Sequence, residues 1–220
     1  MNKRFGNADA RLEEYTYRVF APEDPFLEDV RARTAATRLP DIQVAPLDGL
    51  HLEVLVRLAG ARKAVEIGTL AGYSGTAILR GLAPDGVLHT FELDPRHADV
   101  ARETFRRAGF ADRARIHVGP ALERLADIEG EGPFDFVFID ADKWSYGDYA
   151  AWAAEHLRVG GAVAMDNAFL FGEIVDEPRG ERAPSIRGMR RAHEILARSG
   201  RFRATMLPTG EGLALGVKIK

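Results

Sequence analysis

Three oxygen-bearing side chains follow two apolar runs of the sequence. Asp140 ends the run FDFVFID, and Asp166 and Asn167 end the run GAVAMDN. Near-continuous apolar character is typical of parallel strands covered on both faces, and the carboxyl ends of such strands meet at one edge of the sheet. Two carboxylates and an amide oxygen are ligands that a hard divalent cation such as Mg²⁺ takes. Each Asp alone is equally suited to capping the next helix, but their convergence with Asn167 favours a cation site.

The stretch VEIGTLAGYSG, residues 65–75, has the form of a strand-to-helix turn, which is where alternating α/β sheets bind ligands. Gly68 and Gly72 let the backbone approach a ligand closely, and Gly75 allows tight helix packing. A leucine stands where a dinucleotide fingerprint needs its second glycine, and a Tyr-Ser pair stands where a P-loop needs Gly-Lys. Ser74 is not a nucleophile elbow, because a threonine replaces the second glycine of that motif. The turn is therefore poorly suited to pyrophosphate or triphosphate.

Two glutamates accompany this turn. Glu66 precedes it, and a negative charge there would repel phosphate and attract a cationic ligand. Glu92 ends the strand-like run VLHTFELD, 24 residues after Gly68, near the separation at which an acid reaches the hydroxyls of a ribose. An adenosine ligand with a positive charge in place of phosphates is S-adenosylmethionine: Glu66 suits its ammonium or sulfonium end and Glu92 its ribose. Glycine turns and strand-end acids also occur in sheets that do not bind this ligand.

The elements that position these residues fall into two regions: N-terminal helices, followed by alternating strands and helices. Between Ala10 and Gly60 the prolines separate three segments of helical period. From Arg62 onward the short apolar runs AVEIG, VLHTFEL, ARIHVG, FDFVFID and GAVAMDN alternate with helical segments, which predicts an α/β, doubly wound and mostly parallel sheet. The end, FRATMLPTGEGLALGVKIK, predicts a C-terminal antiparallel hairpin. We expect one domain, residues 1–220, with N-terminal helices in 1–60 and the ligand-binding core in 61–220.

Composition excludes several classes of partner. The formal net charge of −3 implies no bulk attraction to nucleic acid or to anionic lipid. Cysteine is absent, which excludes disulfides and thiolate metal sites and suits a cytoplasmic protein. The start MNKRFGNADARLEEY lacks the apolar core of a signal peptide, and no apolar run approaches the roughly 20 residues of a membrane span. The histidines lack a zinc-binding spacing such as His-Glu-x-x-His, so we expect them to be structural or solvated.

The motifs EIGTLAGYS, FELD, FIDADK and MDN, in this order, resemble the cation-dependent class I O-methyltransferases, the group that includes catechol and caffeoyl-CoA O-methyltransferases. The resemblance extends from about Phe26 and includes DIQVAPLDG, HVGPALERL and the terminal LPTGEGLALG. It implies a Rossmann-like, seven-stranded sheet. It also implies metal ligands at Asp140, Asp166 and Asn167, with Lys143 as the catalytic lysine beside Asp140. The methyl donor would then be held by Val44, Glu66, Gly68, Ser74, Glu92, Asp140 and the backbone around Ala121.

The expected reaction moves a methyl group from the sulfonium to one hydroxyl of a catechol-like acceptor, a small phenolic molecule with two adjacent hydroxyls. Mg²⁺, or alternatively Ca²⁺ or Mn²⁺, would bind both acceptor oxygens, and Lys143 would remove the proton. The bland alternative for Lys143 is a surface lysine paired with Asp142. A nicotinamide-dependent oxidoreductase, a nucleic-acid base methyltransferase and a non-catalytic interaction module are the alternative functions. Leu70 at the missing glycine argues against the first, and the absence of an Asn/Asp-Pro-Pro-aromatic motif argues against the second.

Two segments bear on the acceptor and on the assembly: the residues after Asn167 and the N-terminal helices. Where many members of the resembled family carry a Trp-containing stretch after the metal-binding Asp-Asn, this chain reads NAFLFGEIV, with Phe169 and Phe171 as candidate replacements. We expect residues 168–188 to form a variable wall over the metal, compatible with a charged acyl carrier or a small free catechol. In the resembled family the N-terminal helices cover the active site and form a dimer interface, so a homodimer is expected.

Overall fold

A computed structural model describes residues 9–220, and residues 1–8, which begin the predicted N-terminal region, lie outside the described residues. Seven strands form one sheet in the order β3-β2-β1-β4-β5-β7-β6. The strands are β1 Lys63–Ile67, β2 Val87–Glu92, β3 Ala114–Val118, β4 Phe134–Ile139, β5 Leu157–Met165, β6 Phe202–Leu207 and β7 Leu213–Lys218. The first five strands in this order, β3, β2, β1, β4 and β5, pair in parallel. Strand β7 runs antiparallel to both β5 and β6. The predicted mostly parallel sheet and C-terminal hairpin are confirmed.

Eight α-helices flank the sheet in the described residues. They are α1 Ala10–Phe20, α2 Pro25–Ala36, α3 Pro46–Leu58, α4 Tyr73–Gly81, α5 Pro95–Arg107, α6 Ala121–Arg124, α7 Tyr146–His156 and α8 Ala183–Arg198. Helices α2 and α5 each begin with an Asp-Pro pair. Asp24 accepts a hydrogen bond from the backbone N–H of Leu27, and Asp94 accepts one from Arg96, while the proline occupies the first helical position, where no N–H is needed. The three predicted N-terminal helices are confirmed.

Strand β4 shows why the sheet carries a hydrophobic layer on each face. Phe136 and Phe138 belong to the core cluster on one face, and Val137 and Ile139 belong to the cluster on the other. All four side chains are fully buried. Successive side chains of a strand point to opposite faces, so a run of apolar residues in a central strand supplies both layers. Each such side chain contributes roughly 1.5–3 kcal/mol on burial, which fixes the position of the strand end that carries Asp140.

The chain order reverses at β1, which lies between β2 and β4. Helices after β1 and β4 therefore leave on opposite sides, and the carboxyl ends of β1, β2, β4 and β5 surround a crevice. Gly68 directly follows β1 at this reversal with a φ of +100°, and a Cβ at this position would lie 1.9 Å from the carbonyl oxygen of Asp140. Only glycine allows the β1 turn and the end of β4 to approach this closely.

Helix α1 has no buried residue. Four of its apolar side chains are about half exposed or more: Leu12, Tyr15, Val19 and Phe20. None of the described helices is both long enough and apolar enough to pass through a bilayer.

Candidate active site

A cavity of about 1000 Å³ occupies the crevice at the carboxyl ends of the strands. The loops after β1 to β5, the α2–α3 loop and the β6–β7 turn line it. This volume is at the upper end of the range for small-molecule sites, so the cavity has room for two ligands side by side.

The glycine turn after β1 forms the floor of the cavity. Gly72 has a φ of +85° and caps α4, where most residues would be strained. A Cβ on Gly75 would lie 2.7 Å from Phe105 of α5 and 2.8 Å from the carboxylate of Glu66. The expectation that Gly75 allows close helix packing is therefore confirmed. The turn therefore presents glycines at close-approach positions above a buried carboxyl group. It does not have the form of a phosphate-binding loop.

Glu66 lies beneath the cavity and is not part of its lining. The side chain is fully buried, and it accepts hydrogen bonds of 2.6 Å from the hydroxyls of Ser74 and Thr90. Burial raises the pKa of this carboxyl to about 8, against the lowering effect of the two hydroxyls, so its neutral form is favoured at pH 7. Ser74 does line the cavity. Glu66 therefore holds the Ser74 hydroxyl in place at the cavity wall, and its favoured neutral form differs from the negative charge that the sequence indicates.

Glu92 lines the cavity at the end of β2, as expected of a ribose-binding acid. Its carboxylate accepts hydrogen bonds from the backbone N–H groups of Leu70 at 2.8 Å and Asp94 at 3.0 Å. The imidazole of His97 lies 3.4 Å away. These contacts hold the carboxylate between the glycine turn and α5, where it can accept hydrogen bonds from adjacent hydroxyls.

Val44 and Ala121 both line the cavity. Val44 belongs to the α2–α3 loop and is buried, while Ala121 is the first residue of α6. Gly119, just before α6, has a φ of +128° and donates its N–H to the carbonyl of Glu92 at 2.9 Å. This hydrogen bond aligns the start of α6 with the end of β2. Glu92, Ser74, Val44 and Ala121 are thus brought together as predicted.

A cluster that sequence reasoning missed supports this end of the cavity. Glu23 accepts a hydrogen bond from the hydroxyl of Tyr73 at 2.7 Å and pairs with Arg31 at 3.0 Å. The guanidinium of Arg31 lies 4.9 Å from the centre of the Tyr73 ring and 3.5 Å from the carbonyl oxygen of Val44. Arg31 therefore connects the Val44 loop to the first residue of α4. The partners lie up to 50 positions apart, so no local pattern announces them.

Asp140, Asp166 and Asn167 all line the cavity at the ends of β4 and β5. Burial, together with the nearby charges of Asp140 and Asp48, raises the pKa of Asp166 to about 7. The amide of Asn167 lies 3.3 Å from the Asp166 carboxylate. Within residues 9–220 no group of three or more His, Asp or Glu side chains is arranged as a metal site, so a cation here depends on the amide oxygen as its third ligand. Two mutually repelling carboxylates with an amide fit a hard divalent cation.

Lys143 lies beside this group. Its ammonium donates to Asp140 at 2.9 Å and to the hydroxyl of Tyr146 at 2.7 Å. The side chain is only 18% exposed, and its partner is Asp140, so the alternative of a surface lysine paired with Asp142 is wrong. Asp142 instead accepts from Tyr149 at 2.7 Å, and its other oxygen is buried without a hydrogen-bond partner among the described residues. That orphaned oxygen, in the wall of the cavity, is suited to a ligand ammonium group.

Tyr146 was missed by sequence reasoning. The side chain is fully buried, and its hydroxyl lies 3.2 Å from the carbonyl oxygens of Ile139 and Asp166. Burial and the charges of Asp140 and Asp166 raise its pKa well above the ordinary value, so the hydroxyl remains protonated. It can donate to a carbonyl while its oxygen accepts from Lys143, and this fixes the lysine next to the strand ends.

Two aromatic side chains form the outer rim. Trp144 and Phe171 line the cavity and are 63% and 62% exposed. Phe169 packs against Gly212, where a Cβ would lie 2.8 Å from its ring. The expectation that residues 168–188 form the whole wall is therefore too broad. Only Phe171 of that segment lines the cavity, and residues from Ala183 onward form the start of α8.

The histidines lie mostly away from the cavity, and of the described ones only His97 contributes to its lining. His89 is buried, and its Nδ1 lies 3.1 Å from Nε2 of His117 on the neighbouring strand. Burial lowers the pKa of His89 to about 4. This pair is a structural hydrogen bond between strands, as the sequence suggested.

The sheet order, the glycine turn and the strand-end acids fit a methyltransferase that uses S-adenosylmethionine. Residues 17–219 match a family model described as O-methyltransferase. Among curated relatives, a catechol O-methyltransferase of Niastella koreensis is 37% identical over 89% of both chains, and one of Mycobacterium tuberculosis is 43% identical over 70% of both. The chain belongs to the O-methyltransferase family, and it is an S-adenosylmethionine-dependent enzyme.

Solved structures agree with this membership. An O-methyltransferase from Bacillus cereus in complex with SAH superposes with a TM-score of 0.87 at 38% identity, covering 94% of this chain and 97% of that one. TomG from Streptomyces achromogenes, an O-methyltransferase of tomaymycin synthesis in complex with SAM, gives 0.88 at 32% identity over 98% and 100%. The oxidoreductase, nucleic-acid base methyltransferase and non-catalytic alternatives are thereby set aside.

Proposed function

We propose that the protein methylates one hydroxyl of a catechol-like acceptor in a reaction that depends on a divalent cation. The observation that carries the proposal is the grouping of Asp140, Asp166 and Asn167 beside Lys143 at the cavity wall. Two relatives bear the name catechol O-methyltransferase, which supports the acceptor class. A pair of adjacent phenolic oxygens matches such a site because both oxygens can approach one cation.

Asp140, Asp166 and Asn167 would hold the cation, with Mg²⁺ favoured by the all-oxygen ligand set. When bound, such an ion lowers the pKa of a coordinated hydroxyl, which matters because a free phenol has a pKa near 10 and is a weak nucleophile at pH 7. The neighbouring carboxylates also position Lys143, whose ammonium contacts Asp140.

Lys143 is the expected general base. Its unprotonated amine takes the proton of one acceptor hydroxyl, and Tyr146 holds the amine in place at 2.7 Å. The acceptor oxygen then forms a bond to the methyl carbon while the carbon–sulfur bond of the donor breaks. The sulfonium becomes a neutral thioether, and the proton remains on Lys143.

The remaining proposed parts concern the two ligands. Glu92, Ser74, Val44, Gly68 and the start of α6 hold the methyl donor, with Glu66 acting through Ser74. Trp144 and Phe171 present aromatic faces at the rim, which suits a planar ring.

Methyl transfer to 4-ethylcatechol tests the proposal. We expect turnover to disappear with chelator and to return when Mg²⁺ is added. Asp166→Asn should lower turnover strongly while calorimetry still detects the methyl donor, and Lys143→Met should cost about 10²–10⁴-fold in kcat. Asp99→Asn removes an exposed charge on α5 and serves as the control. Turnover that persists undiminished in chelator would remove the cation from the scheme.

The exposed apolar face of α1 supports a homodimer. An isolated helix of 11 residues is only marginally stable in water, so α1 needs a surface to pack against. A second copy of the chain would provide that surface. Light scattering should give a mass near twice the single-chain 24.2 kDa, and Val19→Asp should shift it toward one chain. A wild-type mass near 24.2 kDa would contradict the dimer.

A further inference from the structure

The segment of residues 167–172, which follows β5, has an unusual backbone conformation. Four of its residues have a positive φ: Asn167 at +53°, Leu170 at +50°, Phe171 at +54° and Gly172 at +88°. Asparagine and glycine adopt this left-handed region readily, but leucine and phenylalanine do so at a cost in free energy, because Cβ crowds the following carbonyl oxygen. Two adjacent bulky residues in this region therefore need contacts that hold them there.

The hydrophobic core provides such contacts for Leu170 but not for the ring of Phe171. Leu170 is fully buried, and its N–H donates to the carbonyl of Asn167 at 2.8 Å. Phe171 is 62% exposed and lines the cavity. Because little apolar surface of Phe171 is buried, its left-handed conformation must be stabilised by something other than the core.

The β6–β7 turn, residues 208–212, contacts this segment through three hydrogen bonds. The carboxylate of Glu211 accepts one from the backbone N–H of Phe171 at 3.0 Å. The backbone carbonyl of Glu211 accepts one from Phe169 at 2.8 Å, and that of Gly212 accepts one from Ala168 at 2.9 Å. Of these three, only the bond to Phe171 is made by a side chain. A substitution at Glu211 can therefore remove it and leave the two backbone bonds in place.

The carboxylate of Glu211 is not engaged by another partner in the described part of the chain. Within residues 9–220 its only hydrogen bond is the one from Phe171, and it forms no ion pair. Nearby arginines have other partners, since Arg182 pairs with Glu173 at 2.6 Å and Arg190 donates to the carbonyl of Ile174 at 3.0 Å. The contact with Phe171 is thus what this side chain contributes to the folded protein.

We propose that Glu211 is a positioning residue for the acceptor and acts through Phe171. Its carboxylate holds Phe171 in the left-handed conformation that keeps the aromatic ring at the rim of the cavity. Without this hydrogen bond the backbone relaxes and the ring leaves the rim. The proposal rests on the proposed function, because the partner of the ring is the planar acceptor. The ring contributes to acceptor binding, so the effect belongs in the KM for the acceptor and not in kcat.

Steady-state kinetics with 4-ethylcatechol test this role. Glu211→Met removes the accepting oxygen at similar side-chain length, and KM for the catechol should rise about 3-fold to 10-fold, as expected for one net hydrogen bond. The values of kcat and of Kd for the methyl donor should stay within about twofold. Glu211→Gln removes the charge but keeps an accepting oxygen, so it should recover most of the lost affinity. Asp99→Asn, which removes an exposed charge outside the cavity, is the control.

A double-mutant cycle shows whether Glu211 acts through the ring. Phe171→Ala should itself raise KM for the catechol about 3-fold or more, because the aromatic face is lost. In this background Glu211→Met should change KM by less than about twofold. If Glu211→Met has its full effect without the ring, the carboxylate contacts the acceptor directly and the proposal is wrong.

Amide hydrogen exchange, followed by NMR without any ligand, tests the hydrogen bond itself. The N–H of Phe171 should exchange about 5-fold faster in Glu211→Met than in the wild type, whereas that of Ala168, which is bonded to a backbone carbonyl, should change by less than about twofold. An unchanged rate at Phe171 would overturn the proposal, as would a KM of Glu211→Gln equal to that of Glu211→Met. Failure of the proposed function gives a different result, because the wild type would then not methylate 4-ethylcatechol while the difference in exchange would remain.

Discussion

Replacing Glu66 with glutamine tests the most unusual electrostatic feature of the fold. The carboxyl is fully buried and contacts the hydroxyls of Ser74 and Thr90, both of which can donate or accept. The amide oxygen of glutamine can accept from one hydroxyl while its NH₂ donates to the other. Glu66→Gln therefore keeps the shape and the hydrogen bonds and removes only the titration.

The magnitude follows from the pKa, which burial raises from 4.5 to about 8. Between these values the folded protein holds a proton on Glu66 that the unfolded chain has lost, so the free energy of unfolding falls as pH rises through this window. The complete shift corresponds to at most about 5 kcal/mol, reached above pH 8. Between pH 5.5 and pH 7.5 we expect the wild type to lose about 2 kcal/mol relative to Glu66→Gln.

Urea unfolding of both proteins at several pH values measures this difference. Comparing the two curves cancels every other titrating group that they share, and Asp99→Asn, an exposed substitution on α5, should run parallel to the wild type. If the Glu66→Gln curve also runs parallel to the wild type from pH 5.5 to pH 7.5, Glu66 is ionised throughout and the argument from burial is wrong. In that case the original sequence interpretation of a negative charge beneath the donor would be restored.

Three further perturbations are expected to separate backbone, positioning and acid effects. Gly68→Ala should lower the free energy of unfolding in urea by more than about 3 kcal/mol and abolish methyl transfer, because its Cβ would clash with Asp140. Gly109 also has a positive φ but has open space around it, so Gly109→Ala should lower the free energy of unfolding by only about 1 kcal/mol. Equal costs would refute the clash. Arg31→Met should raise KM for the methyl donor about 3-fold to 10-fold and leave kcat within about twofold, since it loosens the donor loop; an effect on kcat alone would contradict this role. As the pH falls from 6.5 to 4.5, the imidazole of His89 takes up a proton in the unfolded chain before it does so in the folded protein, where its pKa is about 4. The wild type should therefore lose about 2 kcal/mol of unfolding free energy over this range, and His89→Leu should not. Identical acid unfolding curves would rule that out.

The strand ends and glycine turn were predictable because their signals are local. Asp140 and Asn167 directly follow apolar runs, and parallel strands bring such positions to one edge whatever the loops do. Gly68 was identified as a site of close approach, although the group it approaches, the carbonyl of Asp140, became apparent only in the fold.

The support of the site was not predictable, since it depends on contacts between distant residues. Glu66 appears charged in the sequence, and only its burial against Ser74 and Thr90 shows that the neutral form is favoured. The contact of Glu23 with Tyr73 joins residues 50 positions apart. Tyr146 is the exception among these supports, because a tyrosine three positions after Lys143 lies on the same side of a helical turn and this signal is local.

The position of β7 has a consequence for how the enzyme is made. Strand β6 leaves the ribosome before β7, yet β7 is the strand that separates it from β5. Since a chain is synthesised from its amino terminus, the edge of β5 stays open and β6 has no sheet to join until β7 arrives. The turn that carries Glu211 docks on Phe169 in the same event. A nascent polypeptide halted before Leu213 therefore contains strands β1 to β5, whose carboxyl ends face the cavity, and still lacks a finished cavity wall.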